Sequence, residues 1–437
     1  MIIQNVLDVF TQPLLASLKN NPFSRKCTEI PDDLFISLGL QRVMGEDRSG
    51  RGYLERIMNE DVATIDTSHF FKSLISKRRL NHLKLTNKDI AKLTKLMRTQ
   101  KDYFAQFKEL SDFDLNACDG SYHEWACHDE CFEKKTISTD LKAVRNENHK
   151  KTKRSVQHFS AIDLRTSVAS HLTVALIGGE RQKEHDLHAL KRLTPDELRL
   201  NAPKGRKVCL VYDRACIDYI QWEKWKQNNG IYILTREKEN SRLQIVGMPP
   251  FNKKDPINIG VISDEMVGTG NGSAFRRVKY KCPETEIEFS FLTTLPFSIR
   301  PGLIVLLYKA RWEIEKLFDT FKNKLEETKA WASSDTAKTM QVEFMCLTHN
   351  LTLLINDKIE QEEKVEYKYD LERKTENLKI KQAALDQKNI PYPSTWELSL
   401  HVSQMPVKFY RWIRVHFQQK TPWPEAIEKL RIIYESY

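Results

Sequence analysis

Tyr308-Lys-Ala-Arg311-Trp-Glu-Ile-Glu315-Lys-Leu-Phe-Asp-Thr-Phe-Lys322 contains neither proline nor glycine and has the spacing of a helix, with Ser298 and Pro301 upstream as start signals. At roughly 100° per residue, Tyr308, Arg311, Glu315 and Lys322 fall within an arc of about 60°. Ile314, Leu317, Phe318, Phe321 and Leu325 occupy the adjoining arc. One side of this helix is therefore predicted to enter a core. Its edge presents a phenol, a guanidinium, a carboxylate and an ammonium in line. An ordinary amphipathic helix with i,i+4 pairing shares this outline. The spacing of the four polar residues says more.

Y-x2-R-x3-E-x6-K, within the wider text LLYKARWEIEKLFDTFKNKL from Leu306 to Leu325, resembles the YREK group of bacterial cut-and-paste transposases, insertion-sequence family 4. The resemblance implies that Glu315 is the last member of a D-D-E metal-binding triad. It therefore requires two aspartates upstream.

Asp112-Phe-Asp-Leu-Asn-Ala-Cys-Asp119-Gly120 reads as a short strand ending at an acidic residue before a glycine turn. Lys207-Val-Cys-Leu-Val-Tyr-Asp213-Arg214 repeats the design as a continuous apolar run, the pattern of a strand buried on both faces. Sites gather at the carboxyl ends of strands in open α/β sheets, although a lone strand-terminal Asp is commonly a turn-former. Two of them, in order before the YREK stretch, point to Asp119 and Asp213. Asp112 and Asp114 compete for the first place but sit earlier in the strand. "ACDGSYHEWACHD" and "LVYDRACIDY" resemble the two Asp-bearing motifs of the family.

The expected fold is α/β, an RNase H-like core interrupted by a β-rich insertion, with helical N- and C-terminal regions. Residues 1–105 read as helical and mixed in charge, with a basic cluster at Lys77-Arg78-Arg79 after the Phe70-Phe71 pair. That cluster is either solvated surface or a phosphate-neutralising patch for DNA-end binding. Residues 106–236 form the first part of the core and 237–297 the insertion, punctuated by Gly and Pro. Residues 298–356 complete the core. Residues 357–437 form a charged link and an aromatic-rich helical tail, a surface for dimerisation or for packing within the chain.

The chain has 437 residues, a net charge of +10 and 40% hydrophobic residues, enough for a proper core and suited to a polyanionic partner. No secretory pattern opens it, and no apolar run approaches the roughly 20 residues of a membrane span. Eight cysteines in a chain this long do not make a disulfide framework. The expected location is the bacterial cytoplasm, at the nucleoid when DNA is bound. His123, Cys127 and Cys131, four apart on one potential helix, raise the alternative of structural zinc, but the spacing matches no common zinc arrangement.

Three carboxylates in one pocket repel one another unless cations are bound. Asp119, Asp213 and Glu315 are therefore expected to hold two Mg²⁺ ions, with Mn²⁺ as a substitute, for in-line displacement at phosphorus. Tyr308, Arg311, Lys322 and Arg214 are the candidate DNA contacts. The resemblance implies double-stranded DNA, both transposon ends and target, as substrate. It also implies nicking, a hairpin intermediate, strand transfer, and a homodimer in a synaptic complex. Some relatives stack an insertion Trp on a flipped base; no Trp occurs here between Trp225 and Trp312, and Phe275, Tyr280 or another aromatic could take its place, since stacking needs only a π-face. Two other readings stand beside this one: an RNase H-like nuclease that does not join strands, and a catalytically silent DNA-binding descendant.

Overall fold

The computed structural model describes residues 4–20, 29–45, 47, 49–124, 132–134, 153–175, 186–200, 202–214, 216–269, 272–388, 390–393, 395–401 and 405–435. Five helices come first: α1 (Val6–Asn20), α2 (Asp32–Met44), α3 (Gly50–Asn59), α4 (Thr67–Leu74) and α5 (Lys77–Met97). Side-chain caps start three of them. Ser49, Asp66 and Ser76 accept hydrogen bonds from the otherwise orphaned first-turn N–H groups of α3, α4 and α5. The basic cluster that opens α5 is largely committed inside the protein. Arg78 and Arg79 both bond the buried carboxylate of Asp32 at the start of α2.

Strands β1 (Phe113–Glu124), β2 (Phe132–Lys134), β3 (Lys153–Asp163) and β4 (Ala169–Val174) follow, then the short helices α6 (Asp186–Arg192) and α7 (Pro195–Leu198). Next come β5 (Lys207–Val211), α8 (Tyr219–Asn229) and β6 (Ile231–Arg236). Gly230, at φ +63°, ends α8 in the left-handed conformation and lets the chain turn straight into β6. Strands β4, β3 and β1 are antiparallel neighbours, and β1, β5 and β6 run parallel. The order β4-β3-β1-β5-β6 is the RNase H-like arrangement expected from the sequence.

Residues 237–297 supply β7 (Gln244–Gly247), β8 (Val261–Gly268), β9 (Ala274–Lys281) and β10 (Glu288–Thr293). These strands do not stand apart from the core. β10 pairs antiparallel with β6, so β10, β9, β8 and β7 extend the same sheet to a far edge. Two buried ion pairs, Arg276–Asp264 and Arg277–Glu265, lock β9 to β8 across the pair.

The remaining helices are α9 (Pro301–Ala310), α10 (Glu313–Asp319), α11 (Asp335–Lys358), α12 (Tyr369–Asp386), α13 (Thr395–His401), α14 (Val407–Gln418) and α15 (Trp423–Glu435). The long helix expected over 308–322 is broken. Arg311 and Trp312 bond back by i→i+3 to Tyr308 and Lys309, and α10 gives way to a π turn over Thr320–Lys324.

The sheet separates two apolar clusters. Cys118, Val208, Leu210, Tyr212, Ile231 and Ile233 pack on one face with α6 and α8. Leu115, Ala117, Cys209, Val211 and Leu234 pack on the other with α9, α10 and α11. The terminal helices join this second cluster. Phe10 of α1 meets Phe417 of α14 with ring centroids 5.3 Å apart, and Arg414 of α14 donates to the carbonyls of Gly45 and Lys324. Most aromatic residues of the tail are thus spent within the chain. α11 is nearly all buried, and Asn350 on it bonds both the N–H and the C=O of Ala169, closing the edge of β4. At Gly39 of α2 an added Cβ would lie 2.1 Å from the Phe344 ring of α11, so only glycine admits that approach.

Candidate active site

Ala117 and Val211 are partners in the parallel pair β1–β5. Asp119 and Asp213 each lie two residues further on, and side chains alternate along a strand. Both carboxylates therefore belong to the sheet face that packs against α9 and α10. β5 ends just before Asp213, as expected. β1 does not end at Asp119: it continues through Gly120, opposite Phe159, to Glu124. Gly120 serves close packing here and makes no turn, because a Cβ would sit 2.5 Å from Nε2 of Gln157.

Glu315 reaches the site from α10, and Arg311 ties it to the sheet. Nη1 of Arg311 donates to Oδ2 of Asp119 at 3.2 Å and Nη2 to Oε1 of Glu315 at 3.0 Å. The Tyr308 hydroxyl donates to Oδ1 of Asp213 at 3.4 Å, and its ring lies 5.9 Å from the Arg311 guanidinium. Burial opposes the charge of Arg311, yet Asp119, Tyr308, Asp213 and Glu315 together hold its pKa above the usual value. Burial raises the Tyr308 pKa, and Arg311 opposes that rise.

Of the residues singled out in the sequence, five meet here: Asp119, Asp213, Glu315, Tyr308 and Arg311. The rivals for the first position stand elsewhere; Asp114, near the start of β1, is bonded by Arg206. Lys322 falls on the π turn, where the helical phase predicted from Tyr308 is lost. Arg214 pairs with Glu239 at 3.5 Å, beside a separate cleft.

The donors at the site are all carboxylate oxygens, the chemistry of a hard divalent cation. Among the described residues, no group of three or more His, Cys, Asp or Glu side chains is clustered closely enough to hold a metal ion. The Arg311 guanidinium stands between two of the three carboxylates. The zinc alternative loses its helix, because His123 lies on β1; Cys127 and Cys131 lie outside the described residues.

His123 belongs instead to a buried row on the face that carries Asp119. Its ring centroid is 4.9 Å from that of His158 on β3, which is 5.7 Å from that of His171 on β4. None of the six ring nitrogens has a hydrogen-bond partner among the described residues. Burial, followed by the charge of Lys322 and by His171, pushes His123 down to about 3. Burial likewise holds His158 well below the usual histidine value.

A groove of about 790 Å³ opens beside Asp213 and Tyr308. Phe289 and Phe291 of β10, Trp312, Lys381 of α12 and Trp396 of α13 are among its lining residues. Sequence reasoning assigned none of these residues to DNA contact and placed Trp396 only within the aromatic-rich tail. The alternation Phe289-Ser-Phe291 was the available signal, since it places two rings on one face of a strand. Of the proposed stacking substitutes, Phe275 is buried against Tyr219 and Trp222, whereas Tyr280 borders the groove.

The family described as transposase DDE domain matches residues 131–351, half of the chain. The matched span includes Asp213, Tyr308, Arg311, Glu315 and Lys322 and begins after Asp119. A search of the curated proteins found no match.

Proposed function

Because the chain belongs to the transposase DDE domain family, and is accordingly a transposase acting on DNA, we propose that it is a cut-and-paste enzyme of the YREK group of insertion-sequence family 4. Members of the DDE family use divalent metals. In this reading Asp119, Asp213 and Glu315 hold two Mg²⁺ ions, replaceable by Mn²⁺, which supply Lewis-acid stabilisation of the attacking and departing oxygens. The observation that carries the reading is the convergence on Arg311. One guanidinium bonds carboxylates from a sheet strand and a helix nearly two hundred residues apart in sequence, with the third carboxylate held by the adjacent Tyr308.

The remaining roles follow from side-chain chemistry. Arg311 offers a planar fork to a phosphate beside the scissile bond, and Tyr308 a hydroxyl or a π-face. Lys322 and Arg214 contribute charge further along the backbone. Trp312, 55% exposed next to Arg311, presents an indole face in place of the Trp that the insertion lacks. Water attacks the end phosphate and a 3′-OH departs. That hydroxyl then attacks the opposite strand to form a hairpin, and after reopening it attacks the target. The helical N-terminal region 1–105 binds the DNA end. Two ends cut together require a homodimer in a synaptic complex. No described helix is long and apolar enough to cross a membrane.

The test is cleavage of a labelled duplex carrying the element's own ends, with Mg²⁺ or EDTA, by the wild type and Asp213→Asn. Metal-dependent cutting at the end, lost in the variant, supports the reading. Binding without cutting under any divalent metal would favour a silent DNA-binding descendant. Cutting without hairpin or joined product would favour a nuclease.

A further inference from the structure

Arg311 is 7% exposed, and both terminal nitrogens of its guanidinium are engaged by carboxylates assigned above to metal binding. Its Nε is buried with no hydrogen-bond partner among the described residues, so its bonds to the carboxylates run through the outer fork. The guanidinium takes Oδ2 of Asp119 and Oε1 of Glu315, the Gly120 N–H takes Oδ1 of Asp119 at 2.8 Å, and a divalent cation drawn to the same two carboxylates would meet the positive charge of Arg311. The cation and the guanidinium are therefore alternative occupants of one charge-neutralising position. Phosphate is the other preferred partner of a guanidinium fork, and a duplex presents phosphates densely along its backbone. The helix is interrupted at this residue: the N–H groups of Arg311 and Trp312 make i→i+3 bonds of 3.2 Å and 3.4 Å, and their carbonyls accept from Ile314, Glu315 and Lys316.

We propose that Arg311 gates metal loading: without DNA it clasps Asp119 and Glu315, and a backbone phosphate draws it away, freeing both carboxylates for a divalent cation. The inference rests on the assignment of the three carboxylates under the proposed function. Its consequence is that the protein alone takes up metal weakly and becomes competent to cut only on a duplex.

Mn²⁺ binding to the full chain, read by electron paramagnetic resonance with and without a short duplex carrying the element's end, tests the gate. Wild type, Arg311→Gln, Arg311→Lys and Glu315→Gln are compared, with thermal unfolding to verify folding. Wild-type affinity should rise about tenfold or more when duplex is added, the scale of one charge-assisted hydrogen bond. Arg311→Gln should bind Mn²⁺ without DNA about tenfold more tightly than wild type and lose most of the response to duplex. Arg311→Lys keeps the charge without the fork and should fall between them; it decides the matter if the Gln variant does not fold. Wild-type-like Mn²⁺ binding in the Arg311 variants would overturn the gate. In that case Glu315→Gln would still weaken Mn²⁺ binding if the triad is right. No effect of Glu315→Gln, with or without duplex, would overturn the triad assignment and the gate together.

Discussion

Asp119 and His123 stand four residues apart on the same face of β1, and their surroundings treat charge in opposite ways. Around Asp119, charge is answered by charge: Arg311 bridges it to Glu315. Around His123, burial disfavours charge: three imidazoles pack ring against ring with no hydrogen-bond partner among the described residues, with the Glu343 carboxylate 3.8 Å from Nδ1 of His171 and the charge of Lys322 acting on His123. One strand thus runs from a region where charges are paired into one where burial holds His123 and His158 below the usual histidine value. A polar residue on this face acquires its meaning from the helix above it, since neutral burial and ion binding are both ways of accommodating a polar side chain.

Removing a carboxylate on the charged side should have the largest effect. Glu315→Gln is expected to lower end cleavage by about 10²- to 10³-fold or more while leaving duplex binding in place. A gel assay of cleavage beside a mobility-shift assay checks this, and normal cleavage would dissolve the distinction between the two regions. Placing a fixed charge on the neutral side comes next. His158→Lys should destabilise the fold by roughly 3–5 kcal/mol, the cost of an unpaired buried charge, read from denaturant midpoints. A loss below about 1 kcal/mol would mean that the row readily admits charge.

Acid sharpens the comparison with less force. His123 titrates near 3 and His349, on α11, near 4 in the folded protein, against about 6.5 unfolded. Below pH 6.5 the unfolded chain therefore takes up protons that the folded chain refuses. Stability is full above that value and falls as the pH drops toward 4, by up to about 1.4 kcal/mol per pH unit for each such histidine. His123→Phe should flatten the slope of melting temperature against pH. An unchanged slope would show that His123 is not the source. The smallest effect is expected between the two regions. Gly120→Ala must displace the end of Gln157 and should cost about 1 kcal/mol, with cleavage nearly retained.

Where local pattern and tertiary role agree, the sequence was readable. The apolar run Lys207 to Tyr212 could only be a doubly buried strand, and Asp213 follows from it. The search for two aspartates before Glu315 came from the resemblance of the YREK-like spacing to a known family, and Asp119, Asp213 and Glu315 all bond to Arg311 or Tyr308. Other features depend on distant contacts. Gly120 resembles a turn glycine until Gln157 is known to press on it. Nothing in Arg311-Trp312 marks a helix break, since neither residue opposes helix; the break accompanies the bonds of Arg311 to the sheet. The strands of 237–297 were read as an insertion into the core; that they extend the same sheet depends on the pairing of β10 with β6, between residues more than fifty positions apart. The aromatic tail offered two uses, and the contact of Phe10 with Phe417 shows the intramolecular one.

With the Phe344 ring seated over Gly39, α2 and α11 cannot slide past one another by a turn without prising the ring from its socket. The N-terminal helices are therefore geared to the helix that clasps the edge of β4 through Asn350. A displacement of α2 would press on α11, and through Asn350 on the edge of the central sheet.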